Sequence, residues 1–309
     1  MNLIRRKWLW LAVAIVVLAT VTALVYWWAR PRYDTAAKLV GLLPQADAVV
    51  FYADVAALRH SGYLQLLESA KSTQEPDYQR FVSETGFAYQ RDLDAVAMAS
   101  QPNQTFVVAR GRFDWQRLAQ YASNHGGTCD DRYCQLPATK PDQWISFFAI
   151  RSGVLGLAVS ADPRAAYSLL PREGAPEPTT PQFPLWAEIP RRVLDHPDSL
   201  PPGAQVVARA LSSASRVTLG ITEATPGIGD SALNVRLIAS CPSDVVANDL
   251  RGHLSQLAGF FRGFAAHNQQ HSDGPDLAGL LASGTFGAAG HTVVGNWMVP
   301  RSVVEALFE

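Results

Sequence analysis

Two histidines one helical turn apart are the residues of this sequence that come nearest to a metal site. His267 and His271 stand four positions apart at the end of a long amphipathic segment, and Asp273 follows shortly after. On a helix the two imidazoles would share a face, and a carboxylate could add a ligand. However, the pair lacks the internal glutamate of the zinc motif His-Glu-x-x-His, and the helix dipole alone favours histidine near a C-terminus. We therefore expect no bound metal and keep these three residues as weak candidates.

Two carboxylates at the ends of short apolar strands form the second candidate site. Asp54 follows the segment 48–53, and Glu188 follows the segment 185–187. If a pseudo-twofold related the two strands, the pair could perform acid/base chemistry. An acid at this position also favours the start of a following helix, which is the interpretation we prefer. With no nucleophile elbow or P-loop present, the sequence predicts no catalytic or cofactor-binding residues, although it leaves enzymatic activity open.

The cysteine spacing predicts one disulfide. Cys129 and Cys134 flank the polar segment Asp-Asp-Arg-Tyr, which suits a hairpin loop, and facing positions of an antiparallel pair lie close enough to be bridged. Two free thiols or half of a metal site are the alternatives. Cys241 is left over before Pro242, and we interpret it as a small buried residue.

The elements that would position these groups fall into two similar halves. Each half opens with a short strand, continues through a hairpin into a helix, and closes with a second hairpin and a short terminal helix. A proline-rich segment at 171–182 separates the first half, 33–170, from the second, 183–309. We predict an α+β fold, with an N-terminal transmembrane helix followed by two antiparallel-sheet-plus-helix halves that arose by pseudo-duplication.

The N-terminal segment has the properties of a membrane anchor. Residues 8–29 contain no charged residue, and their tryptophans stand at both ends, as in an aromatic belt. Basic residues within the tail 1–7 predict a cytoplasmic N-terminus and a body on the outer side of the inner membrane. A cleavable signal peptide is the alternative, but the segment is long and ends in Tyr-Trp-Trp, a poor cleavage site.

The charge distribution argues against a nucleic-acid partner. The chain has 26 basic and 27 acidic residues, and residues 1–32 contain five of the basic residues and no acid. The rest of the chain is therefore acidic overall, and it lacks the basic stripe with interleaved aromatic residues that nucleic-acid binding requires.

The opening of the body resembles that of uncharacterised bacterial single-pass envelope proteins. The resemblance rests on residues 42–58, LLPQADAVVFYADVAAL, and on the junction Gly111-Arg-Phe-Asp114, where a strand leads into a helix. It implies a place in the bacterial envelope and brings no catalytic residues with it. We expect a membrane-anchored, extracytoplasmic binding or structural protein whose partners are the bilayer, through residues 8–29, and an envelope protein or cell-wall component. The alternative is an anchored hydrolase or metal-dependent enzyme that uses the His267/His271 region or the Asp54/Glu188 pair.

Overall fold

The fold is known from a computed structural model, which describes residues 35–64, 76–171, 176–197, 208–223, 231–268 and 282–300, with the single residues 174, 205 and 279. The described helices are α1 Ala36–Val40, α2 Val55–His60, α3 Pro76–Thr85, α4 Tyr89–Asp92, α5 Trp115–Asn124, α6 Arg191–Asp195 and α7 Asp244–Asn268, with a 3₁₀ helix at Ala165–Leu169. The described strands are β1 Val49–Ala53, β2 Leu93–Gln101, β3 Gln104–Gly111, β4 Thr128–Asp130, β5 Tyr133–Pro137, β6 Trp144–Arg151, β7 Val154–Ser160, β8 Leu185–Pro190, β9 Arg216–Glu223, β10 Ser231–Ser240, β11 Thr285–Ala289 and β12 Thr292–Pro300.

All twelve described strands belong to one antiparallel sheet. Its order is β11-β12-β10-β9-β8-β1-β2-β3-β7-β6-β5-β4. At the centre β1 pairs with β8, so that Tyr52 lies opposite Trp186 and Phe51 lies opposite Ala187. The first strands of the two predicted halves are thus hydrogen-bonded neighbours.

This architecture contradicts the predicted fold class. Two halves with a sheet each were expected, whereas one sheet runs through both, and residues 36–309 form a single compact unit. The prediction failed for a physical reason. An unpaired strand edge presents the same backbone donors and acceptors to every other strand, so β1 and β8 can pair with each other as readily as with a strand of their own half. Nothing in the local sequence of either strand specifies that partner.

The membrane-spanning part of the prediction concerns residues outside the described part of the chain. Within the described residues, no helix is both long and apolar enough to cross a bilayer. The predicted anchor at 8–29 and tail at 1–7 lie outside the described residues, and so does the whole of the short terminal helix that the sequence predicts for the second half, at 302–308.

Because side chains alternate along each strand, buried side chains lie on both faces of the sheet. On one face, Leu118 of α5 and Leu250 of α7 pack in separate clusters over the two wings, and Leu58 of α2 packs near the centre. On the opposite face, α1 and the 3₁₀ helix lie over β1, β2, β3, β6 and β7. Antiparallel strands whose alternate residues face helices on both sides explain why small residues such as Ala97 and Val108 are fully buried.

Candidate functional site

The described residues contain no cluster of three or more metal-ligating side chains. Of the predicted candidates, His267 lies within the last turn of α7, but its side chain is not described. His271 and Asp273 lie outside the described residues. The structure therefore does not test this candidate metal site.

Asp54 caps a helix. Its carboxylate accepts a hydrogen bond of 2.9 Å from the backbone N–H of Ala57, and it stands as the N-cap residue of α2. This contact satisfies one of the free N–H groups of the first helical turn. Asp54 therefore stabilises the start of α2.

Glu188 lies at the other end of the same strand pair. It is opposite Val50 in β1, whereas Asp54 follows β1 and its N–H bonds to the carbonyl of Pro184. Val50, which faces Glu188, lies four residues before Asp54, which places the backbones of the two acids about 13 Å apart along the strand. Glu188 forms an ion pair with Arg216, at 3.6 Å between carboxylate oxygen and Nε. The structure does not bring Asp54 and Glu188 together as an acid/base pair.

The predicted disulfide is confirmed. Cys129 and Cys134 occupy facing positions of β4 and β5, and their sulfur atoms are 2.01 Å apart. The bridge packs under α5, where Cys134 is fully buried. Cys241 is a free, buried thiol, and burial raises its pKa, so it is a poor nucleophile at neutral pH.

A cleft of about 920 Å³ opens at the end of the sheet where β1 begins. Its walls are the turn before β1, the β2–β3 turn, the end of β7 and α6, which the chain supplies from both sides of the proline-rich segment. Its lining consists of small, hydroxyl and amide side chains with one ion pair and a histidine: Ala46, Asp47, Val49, Ser100, Gln101, Pro102, Asn103, Gln104, Ser160, Ala161, Arg192, Val193 and His196. Among the described residues, no phenylalanine, tyrosine or tryptophan lines it.

The polar groups of the cleft are held by hydrogen bonds to the protein. Arg192 Nη1 donates to Asp47 Oδ2 at 3.0 Å, and Gln101 Nε2 donates to the carbonyl of Ala46 at 2.9 Å. His196 Nδ1 lies 3.0 Å from the carbonyl of Arg192. The geometry suits hydrogen bonding to a polar ligand.

A second polar cluster surrounds Asp92. In the sequence, the closely spaced acids Asp92 and Asp94 are typical of a solvated turn, but this interpretation is wrong for Asp92, which is only 7% exposed. Its carboxylate accepts hydrogen bonds from Arg91, Arg112 and the N–H of Ala88. The Arg91 guanidinium is the main reason that the pKa of Asp92 falls to about 2. The carboxylate is therefore ionised at any physiological pH.

Sequence reasoning missed both polar clusters for the same reason. Asp47 and Arg192 are 145 positions apart, and Arg112 is 20 positions from Asp92. Neither separation belongs to a motif, because the contacts depend on which strands are neighbours. The one local signal was the charged segment Arg91-Asp92-Leu93-Asp94, which predicts a charged turn but does not predict that Asp92 is buried.

Comparisons with known proteins do not assign the chain to a family. No protein-family model matches it, and no curated protein matches it. Among solved structures, crystal form III of TP0453 aligns with a TM-score of 0.45 and 11% identity, covering 87% of this chain and 95% of that one. Crystal form IV of TP0453 aligns with a TM-score of 0.40 and 11% identity, covering 89% and 99%. Similarity at this level supports no conclusion about function.

Proposed function

We propose that this chain is an extracytoplasmic binding protein of the bacterial envelope, without catalytic activity, and that its ligand occupies the cleft beside β1. The observation that carries the proposal is the cleft itself. Its volume is within the range of small-molecule and short-chain binding sites. Its polar groups are amides, hydroxyls, one ion pair and a histidine, which can orient a ligand through hydrogen bonds.

The disulfide supports the extracytoplasmic part of the proposal. Disulfides persist in oxidising compartments and are rare in the reducing cytoplasm. The Cys129–Cys134 bridge is built into paired strands next to α5. The anchoring role predicted for residues 8–29 lies outside the described residues and stays a prediction.

Photo-cross-linking in bacterial cells tests the cleft. A benzoylphenylalanine placed at Asn103, in the cleft, is expected to trap the ligand as an adduct of defined mass in the full-length chain. The matched control carries the same group at Asn248, an exposed position on α7. Equal adducts at both positions, or none at Asn103, would rule out the cleft as the binding site.

Thiol labelling tests the compartment. Asp249 is exposed on α7, and the other described cysteines are either paired or buried. We expect an Asp249→Cys variant to react with a membrane-impermeant maleimide in intact cells whose outer membrane has been permeabilised. Reaction only after lysis of the inner membrane would contradict an extracytoplasmic body.

Metal content separates the proposal from the enzyme alternative. A non-catalytic binding protein needs no metal, so the full-length chain should purify with substoichiometric zinc, iron and manganese. One tightly held metal ion per chain, lost in a His267→Ala/His271→Ala variant, would favour the metal-dependent enzyme instead.

A further inference from the structure

Two arginines share a single buried carboxylate at the end of the sheet opposite the cleft. Arg91 Nη2 lies 2.6 Å from Asp92 Oδ2, and Arg112 Nη2 lies 3.2 Å from Asp92 Oδ1. The Asp92 side chain is 10% exposed, whereas the side chains of Arg91 and Arg112 are 65% and 68% exposed. The carboxylate is thus at the base of the cluster, and both guanidinium groups face solvent above it.

The cluster carries one positive charge that no partner within it neutralises. Two guanidinium groups, which are always protonated, share one ionised carboxylate. Among the described residues nearby, Asp114 is paired with Arg117 and Asp94 with Arg59, so neither carboxylate is free to cancel this surplus. This local positive charge lies on a body, residues 33–309, in which acidic residues outnumber basic ones.

Each arginine keeps donor groups that the described contacts leave unused. The contacts of Arg91 and Arg112 with Asp92 and with backbone carbonyls engage Nε and Nη2 in both residues. Within the described part of the chain, no protein acceptor contacts Nη1 of either. The two Nη1 groups together can donate four N–H bonds.

Backbone contacts hold the two side chains in place. Arg91 Nη2 donates to the carbonyl of Gly86 at 2.8 Å, and Arg112 Nη2 donates to the carbonyl of Arg91. A side chain fixed in this way has already lost the rotamer freedom that binding would otherwise cost. The cluster is therefore preorganised to receive an anion.

We propose that Arg91 and Arg112 form a binding site for the phosphate group of a phosphate ester. The donors come from two separate guanidinium groups, which suits a tetrahedral oxyanion, whereas one guanidinium fork alone matches a planar carboxylate. The site lies at the Leu93 end of β2 and the cleft at the Gln101 end, about 25 Å apart, so the two sites bind independently.

Calorimetric titration of the full-length chain with inorganic phosphate and with glycerol phosphate tests the site. We expect saturable binding that weakens by about tenfold in an Arg112→Gln variant, since hydrogen bonds to charged groups are among the stronger ones. The matched control is Arg80→Gln, which removes an exposed arginine paired with Asp77 on α3 and should leave the affinity unchanged.

Further variants and ligands make the outcome decisive. If Arg112→Gln does not fold, Arg112→Lys keeps the positive charge, loses the fork and should still lower the affinity several-fold. Absence of phosphate binding, equal loss in Arg80→Gln, or equally tight binding of acetate would each overturn the proposal.

Vesicles identify the source of the phosphate. Arg112-dependent binding to phosphatidylglycerol vesicles, with none to phosphatidylcholine, would identify a lipid headgroup. Binding of glycerol phosphate without vesicle binding would identify a soluble or polymer-borne phosphate. Both results support the site, and a ligand in the cleft is affected by neither variant.

Discussion

Asp92 connects three parts of the chain through one carboxylate. It ends α4, bonds through Arg91 to the loop at Gly86, and bonds to Arg112 just beyond the end of β3. A buried carboxylate with fewer donors would be strongly destabilising, so these contacts explain why the acid is tolerated beneath the surface.

The depressed pKa of Asp92 predicts a pH-dependent stability. Because its pKa is about 2 in the folded protein and 3.8 ordinarily, the ion pairs contribute in full above about pH 4. That contribution is lost as the pH falls towards 2. We expect Asp92→Asn to lower the free energy of unfolding by about 2 kcal/mol at pH 7. Urea unfolding at several pH values measures this difference, which should shrink in acid; a constant difference would contradict the assignment.

Gly111 predicts a steric effect at the same junction. A Cβ at Gly111 would lie 2.2 Å from the backbone oxygen of Asp92, which cannot move aside as a side chain could. We expect Gly111→Ala to destabilise the fold by about 2 kcal/mol or more. Gly287 is the control, because no atom lies within 4 Å of a Cβ there, and Gly287→Ala should change stability by less than about 0.5 kcal/mol. Thermal unfolding of both variants makes the comparison.

Helix α7 shows how an element can be predicted while its buried face is not fully predicted. In the sequence, apolar residues at spacings of three and four, among them Leu250, Leu254 and Leu257, predict a helix with one apolar stripe. The helix is present, but Leu257 is 43% exposed and Phe260 is 68% exposed, whereas Ala247 and Ala258 are buried. Small residues face the sheet because the helix packs closely against it, which a hydropathy pattern does not record.

The packing of α7 predicts a large loss of stability at one large apolar residue and a small loss at another. Leu250 is 1% exposed within the core of the second wing, so Leu250→Ala should cost about 3 kcal/mol. Phe260→Ala, at an exposed position ten residues later, should cost less than about 0.5 kcal/mol. Chemical denaturation of the two variants measures both; a large loss at Phe260 would show that its exposed ring is covered in solution.

At the scale of the whole molecule, the β1–β8 pairing joins what the sequence suggested to be separable halves. Outward from this pair the sheet continues as β2, β3, β7, β6, β5 and β4 on one side, and as β9, β10, β12 and β11 on the other. The stacked rings of Tyr52 and Trp186, 5.9 Å apart at their centroids, lie across the junction, and both side chains are buried. One hydrogen-bonded sheet therefore crosses the junction between the two predicted halves.

One continuous sheet predicts one unfolding transition. We expect hydrogen exchange in β6 and in β12, near opposite edges, to follow the same global opening. Trp186→Ala removes a large buried side chain at the centre and should lower the stability measured at both places by about 3 kcal/mol. Two transitions, with only the second half affected by the variant, would show that the halves unfold independently.

Local sequence patterns predicted the hairpins and the disulfide better than they predicted the polar sites. The turn between β2 and β3 lies at Gln101-Pro-Asn103, a segment of turn-forming residues, and the carboxylate of Asp114 caps the start of α5. These features depend on residues a few positions apart. The ion pair of Asp47 with Arg192 and the burial of Asp92 depend on segments far apart in the chain, and no alternation of residues specifies them.

The amino-acid sequence by itself determined the strands, their turns, the long helix and the Cys129–Cys134 bridge, because each arises from contacts between near neighbours. The tertiary structure alone decided that β1 pairs with β8, that Asp54 and Glu188 stay apart, and that a cleft and an arginine pair lie at opposite ends of β2. Strand edges present the same backbone donors and acceptors whatever their side chains. The choice of neighbour is therefore made by the packing of the whole sheet and its helices.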